Sequence, residues 1–380
     1  MPMKIQYTKY FLPLYLFFSI APVLLGKVGI ILITGLLGIK LISNIRTELY
    51  PKAAIISLLV PGLILAVIYS SQDVIRFMPI IFLVLLYPYR FIRIDANLIQ
   101  RACILTIAYL FLTQILIAIG YDPVVQFRSQ WYEIPGSSHI YGYADNLTYG
   151  FREFRAGGLY YNPNVYASVL IFVYFIFLYS KSQVMTSVSG SARHTHNFNA
   201  KMALVTSVVL FSLYLAGSRT YLVVFFVFLF LEFRHLILKS KIIFTIIGFI
   251  FIFIFIEVYE VVIGAFVSNQ GSVNIKFSIL NDYIYRQNYV LLLTGSSTTT
   301  FFDSEYGNWI GRSGFFGLMA IILFYGLVFI RSRSLFPLLL SLMLMGIGNT
   351  VLYGMLTATL VIVVFVVSIG RKNTCEKFKR

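Results

Sequence analysis

Long apolar runs broken by short basic turns constrain this chain more than any other feature. A membrane span needs about 20 predominantly apolar residues, with a range of about 17–25. On that measure the sequence holds about twelve spans, near 10–26, 28–44, 53–71, 74–89, 98–120, 159–179, 202–218, 220–238, 242–263, 313–330, 335–350 and 351–369. Apolar residues make up 59% of the chain and charged residues 12%, against about 45–50% and about 25% in soluble domains. A water-soluble core cannot hide so much apolar surface. The expected class is an all-α polytopic membrane protein, with residues 1–380 forming one integral membrane domain.

The charge pattern sets an orientation. The formal net charge is +16, and many cations flank apolar runs, as orientation signals and contacts to anionic lipid do; no nucleic-acid partner is expected. With the amino terminus inside, every alternate loop is basic: Lys40, Arg46 and Lys52, then Arg90 and Arg93, then Lys181, Arg193 and Lys201. Arg234, Lys239 and Lys241, then Arg331 and Arg333, and finally the basic tail continue the series. Both termini are therefore predicted to be cytoplasmic. Most acids fall on the opposite side, which carries two long loops, 121–158 and 261–312. The second is read as a cap over a lipid-linked substrate, since a loop of that length is more often functional than connective. The inner loop 181–201 is Ser-rich and reads as a flexible connector.

Cys103 and Cys375 make no disulfide framework, and the four histidines lack metal-site spacing. No internal repeat of the transporter kind is visible.

Three polar clusters fall on the predicted outer face. The first runs Arg152–Ala167 and includes Arg155, Asn162, Pro163, Asn164 and Tyr166. Pro163 suits the first turn of a helix and Asn162 its cap. The second is Gly217–Thr220, which leaves almost no loop between two spans. Arg219 there either snorkels to lipid phosphate or binds an anionic substrate, with Ser218 and Thr220 as added donors. The third is Asp303–Gly317, containing Glu305, Trp309, Arg312 and Gly314. Its glycines allow a tight turn and close helix packing. Asp303 and Arg312 either pair with each other or serve a site.

Arginine is always charged and grips phosphate bidentately. A polyprenyl diphosphate would leave its tail in the bilayer and its head at this depth, where Arg155, Arg219, Arg286 and Arg312 match it. No Asp-x-Asp motif or paired-carboxylate constellation supplies a two-metal site, so arginines rather than a divalent ion are expected to neutralise the diphosphate, and no cofactor is expected. Trp309, Tyr160 and Tyr161 are read either as sugar-stacking rings or as interfacial anchors.

The stretches RAGGLYYNPNVYAS, LAGSRTYLVV and DSEYGNWIGRSGFFGLMAIILFYG resemble, in order and spacing, the signatures of the O-antigen polymerase and O-antigen ligase superfamily. The similarity covers roughly Arg152 to Gly326. The resemblance implies a lipid-linked glycosyltransferase (GT-C-like) architecture in a bacterial inner membrane and two periplasmic loops. It implies an undecaprenyl-diphosphate-linked oligosaccharide as donor and transfer to an acceptor hydroxyl without a metal. Ligases of the superfamily resemble one another in a histidine of the long outer loop, where this chain has Asp303. That departure favours the polymerase branch, with O-antigen ligase or a non-enzymatic lipid-linked oligosaccharide flippase as alternatives. Asp303 is then expected either as the general base or to align the acceptor hydroxyl, with Glu305 in reserve, and Arg219 as the principal diphosphate ligand; Arg155, Asn162, Asn164, Ser218, Arg286, Glu305 and Arg312 line the substrate. The bilayer, a chain-length regulator and a flippase of the same pathway complete the expected partners.

Overall fold

The computed structural model describes residues 49–69, 71–87, 96–131, 156–160, 163–188, 200–239, 278, 281–295, 305–348 and 355–369. Its helices are α1 (Leu49–Tyr69), α2 (Ser71–Leu86), α3 (Ala96–Ala118), α4 (Asp122–Trp131), α5 (Pro163–Val188) and α6 (Ala200–Leu215). They continue with α7 (Arg219–Lys239), α8 (Tyr289–Thr294), α9 (Glu305–Arg331), α10 (Phe336–Gly348) and α11 (Met355–Ile369), with a 3-10 turn at Arg333–Leu335 before α10. The described residues are helical, with no strand among them. Among the described residues, four stretches are long and apolar enough to cross a membrane: Leu49–Tyr69, Ala96–Ala118, Pro163–Ser180 and Tyr306–Arg331. Ala200–Leu215 and Arg333–Ile347 are shorter apolar helices. The runs predicted at 10–26, 28–44 and 242–263 lie outside the described residues.

The chain divides into two compact units, Met1–Thr47 with Leu85–Leu222 and Gly354–Arg380, and Glu48–Val84 with Val223–Tyr353. The first unit is built on α5, which packs against α3, α6 and α11. From Tyr166 to Ser180 every residue of α5 is buried. A helix that is apolar on all sides has no polar face to give to water, so it takes the centre of a bundle. Its few polar side chains are satisfied inside. Ser168 and Ser180 donate to the carbonyls of Val165 and Phe177 at 2.7 and 2.9 Å, and the Tyr174 hydroxyl meets Thr206 Oγ1 of α6 at 2.9 Å.

The second unit is built on α9, which packs against α1, α8 and α10. The indole of Trp309 is fully buried, with Phe77 of α2 edge-on at 5.4 Å, and the Tyr306 hydroxyl donates to the Met343 carbonyl of α10 at 2.7 Å. Small residues let α1 come close. A Cβ on Gly62 would stand 2.8 Å from Ser313 Cα, a separation only glycine permits.

The helix begins at Glu305, within the loop predicted to extend to Arg312, because Tyr306, Trp309 and Ile310 supply an inward face about two turns earlier. Gly314 (φ 65°, ψ −166°) is non-helical and breaks the run between the first helical stretch and the apolar helix that follows, the tight turn its glycine allows. Two glycines meet there. A Cβ on Gly314 would strike the Leu293 carbonyl, and one on Gly295 would strike the Arg312 carbonyl. Gly314→Ala combines a disfavoured φ with backbone collision and is expected to destabilise the protein by about 2–4 kcal/mol. Gly326→Ala, which meets open space in the same helix, is expected to be neutral or stabilising by up to about 1 kcal/mol. Thermal unfolding of the two variants in detergent checks the contrast.

The other loops also shorten. Within 121–158 lies α4, and α5 remains helical through Val188, into the predicted connector 181–201.

Candidate functional site

In the first unit two of the three polar clusters come together. Chain entry into α5 at Pro163 sets Asn164 in its first turn. The α6–α7 turn passes through Gly217 (φ 59°) and Ser218, and α7 opens on Arg219. Ser218 is buried, and its hydroxyl donates to Asn164 Oδ1 at 2.8 Å. The Ser218 carbonyl accepts the Leu222 N–H at 3.0 Å. Both ends of Ser218 are thus engaged, which fixes the backbone from which Arg219 departs.

The segment before α5 is anchored just as firmly. Ala156, Leu159 and Tyr160 are buried. The Ala156 N–H donates to the Leu215 carbonyl at the end of α6 at 3.0 Å, while its own carbonyl accepts Gln114 Nε2 of α3 at 2.8 Å. The same Gln114 nitrogen donates to the Ser212 carbonyl at 2.9 Å. Its Oε1 accepts the Tyr166 hydroxyl at 3.0 Å, and that hydroxyl also reaches the Leu110 carbonyl at 3.2 Å. One glutamine therefore ties α3, α5, α6 and the Ala156 strap together. Gly158 (φ 57°) lets the strap lie on Tyr166, where a Cβ would stand 3.0 Å from the ring.

Several sequence expectations change at this level. Tyr160 is not open to a sugar: it is buried with its ring at 6.1 Å from that of Tyr166. Trp309 is likewise enclosed, against Phe77. Both rings serve packing because the helices around them leave no solvent face. Gln114 was missed. It sits in a predicted apolar span, and its one sequence signal is an amide at membrane depth, where polar side chains are costly unless paired.

In the second unit, Arg286 lies on a short helix over 281–286 and is exposed, 3.8 Å from Asp282 across one turn. An exposed pair of this kind contributes about 0–1 kcal/mol, so the guanidinium is easily given to another anion. Arg312 is half-buried in α9, two residues before the Gly314 kink. Glu305 begins that helix. Arg155, Asn162 and Asp303 lie outside the described residues. Asn164, Ser218 and the first residue of α7, Arg219, thus belong to the first unit, and Arg286, Glu305 and Arg312 to the second. Among the described residues, no three His, Cys, Asp or Glu side chains converge as a metal site.

The chain matches no model of a known protein family, no curated protein and no solved structure.

Proposed function

We propose that this protein is a membrane-embedded polysaccharide polymerase that joins undecaprenyl-diphosphate-linked oligosaccharide repeats on the outer face of a bacterial inner membrane. The observation that carries the reading is the Ser218–Asn164 hydrogen bond of 2.8 Å. It couples two stretches, RAGGLYYNPNVYAS and LAGSRTYLVV, each of which resembles a signature of that superfamily.

In this reading a hydroxyl at the non-reducing end of one lipid-linked repeat attacks the anomeric carbon of another. The new glycosidic C–O bond forms as the C–O bond to diphosphate breaks, and undecaprenyl diphosphate leaves. Asp303 accepts the hydroxyl proton, with Glu305 in reserve. A carboxylate of ordinary pKa, about 4, is a weak base, so the role requires partial burial to raise its affinity for the proton. Arg219, at the start of α7, holds the leaving diphosphate. Fixed positive charge favours the developing dianion over the intact donor, and that difference is what accelerates the step.

The test is reconstitution of the full chain alone in liposomes with purified lipid-linked repeats. Longer lipid-linked chains are the expected product, and Asp303→Asn should abolish them. If the repeats merely cross the bilayer, the flippase alternative replaces this reading. If glycan moves only onto an added lipid A core acceptor, the ligase alternative does.

A further inference from the structure

The segment 281–295 is not a span, yet it carries a dense set of exposed apolar side chains. Tyr285 is 81% exposed, Tyr289 85% and Val290 63%, and Leu293 is exposed beside them. No residue of α8 is buried. The opposite side of the segment is held firmly: Ile284 and Leu292 pack with Tyr283 against Ile310 and Leu318 of α9. The Tyr283 hydroxyl donates to the Gly311 carbonyl at 3.2 Å. Asn288 caps α8 by accepting the Val290 N–H at 3.3 Å, and the Gly295–Gly314 crossing seats the end of α8 on the kink. The segment is therefore fixed at one height on α9, level with residues 310–314.

That height can be placed on the membrane. The hydrocarbon core is about 30 Å thick, and the charge of Arg331 belongs in the opposite headgroup layer. After the Gly314 kink, α9 runs as a regular helix to Arg331, about 17 residues or about 26 Å at about 1.5 Å per residue, so the kink stands close to one hydrocarbon boundary when Arg331 stands at the other. Just below it α9 exposes Phe315, Met319, Ile322 and Leu323, apolar side chains that suit the acyl region. Tyr285 and Tyr289, accompanied by Asn281, Asp282, Arg286 and Asn288, have the mixed composition of a membrane interface, where tyrosine is enriched.

We infer that residues 281–295 form an interfacial element lying in the headgroup–acyl boundary of the bilayer at the α9 amino-terminal end, with phospholipid as the occupant of their exposed apolar face. An element of this kind is bound in the plane of the membrane by its apolar side chains and not by a crossing. The inference does not depend on the glycosyl-transfer reading.

Site-directed spin labelling of the full chain in phosphatidylethanolamine–phosphatidylglycerol liposomes tests it. Cys375→Ser provides the background, because Cys103 is buried. Labels at Tyr289→Cys and Val290→Cys should be several-fold more accessible to oxygen, relative to a water-soluble nickel chelate, than a label at Asn288→Cys. They should fall between Asn288→Cys and the lipid-facing reference Met319→Cys. High nickel accessibility at both sites would place the face in water and overturn the inference. Protection from both reagents would overturn it in favour of a protein occupant, such as a second copy of this chain. An aqueous Met319 would remove the membrane placement of α9, and the inference with it.

Discussion

Arg219→Ala is expected to abolish long-chain polymer while leaving the amount of membrane-inserted protein unchanged. Removing one preorganised charge from a developing oxyanion typically costs about 10²–10³ in turnover, enough to reduce a polymer ladder to single repeats. Ser218→Ala acts one step removed. It loses a neutral hydrogen bond to Asn164, worth about 0.5–1.5 kcal/mol, and should shorten chains without eliminating them. Arg219→Lys separates the substrate role from a lipid role. A lysine snorkels to a lipid phosphate as readily as an arginine does, but it lacks the planar fork that grips a diphosphate bidentately. Partial recovery at best is therefore expected. Gel profiles of the polymer, normalised to protein by immunoblot, read all three. Full-length polymer from the alanine variant, or full recovery with lysine, removes Arg219 from the diphosphate site.

The elements that sequence reasoning located are those with local causes. Pro163 marks the first residue of α5 because a proline there lacks only an N–H that the first turn would leave unbonded anyway. Gly217–Ser218 marks the α6–α7 turn because the apolar runs on either side leave no room for more. The first start of α9 was misplaced because Gly311 and Gly314 look like turn residues in isolation. Gly314 does break the helix, and only the inward packing of Trp309 and Ile310 shows that a helical stretch precedes the break. The fates of Tyr160 and Trp309 were illegible for a similar reason. A ring near the membrane surface has the same local signature whether it meets a sugar, a headgroup or another ring, and its neighbours come from distant sequence. Asn164 and Ser218 stand between these cases. Each was singled out for its own cluster, and their direct bond, across 54 positions, is a tertiary fact that neither cluster announces.

Gln114 carries the largest stability effect expected outside glycine positions. Its amide uses both donor hydrogens and one acceptor site, most of what a glutamine can offer. Gln114→Leu keeps the volume and removes all of it. The Ser212 carbonyl retains the Ala216 N–H at 2.9 Å, and the Tyr166 hydroxyl retains the Leu110 carbonyl at 3.2 Å. The cost therefore concentrates on the Ala156 carbonyl, which loses its Gln114 donor in a fully buried setting. An orphaned buried acceptor costs about 1–3 kcal/mol, and the weakened Tyr166 bond adds about 0.5–1.5 kcal/mol. Tyr166→Phe alone orphans the buried Gln114 Oε1 instead and should itself cost about 1–3 kcal/mol. Because the two side chains share a hydrogen bond, the double variant should be less destabilised than the sum, by about 0.5–3 kcal/mol. Denaturation of the four proteins in detergent measures the cycle. The strap that Gln114 holds leads directly from Arg155, so the leucine variant should also make shorter polymer at temperatures where it remains folded, whereas Tyr166→Phe should not. Additive stabilities would mean that the glutamine acts on the strap and the tyrosine separately, and an unshifted leucine variant would show that Ala156 is held by its Leu215 bond alone.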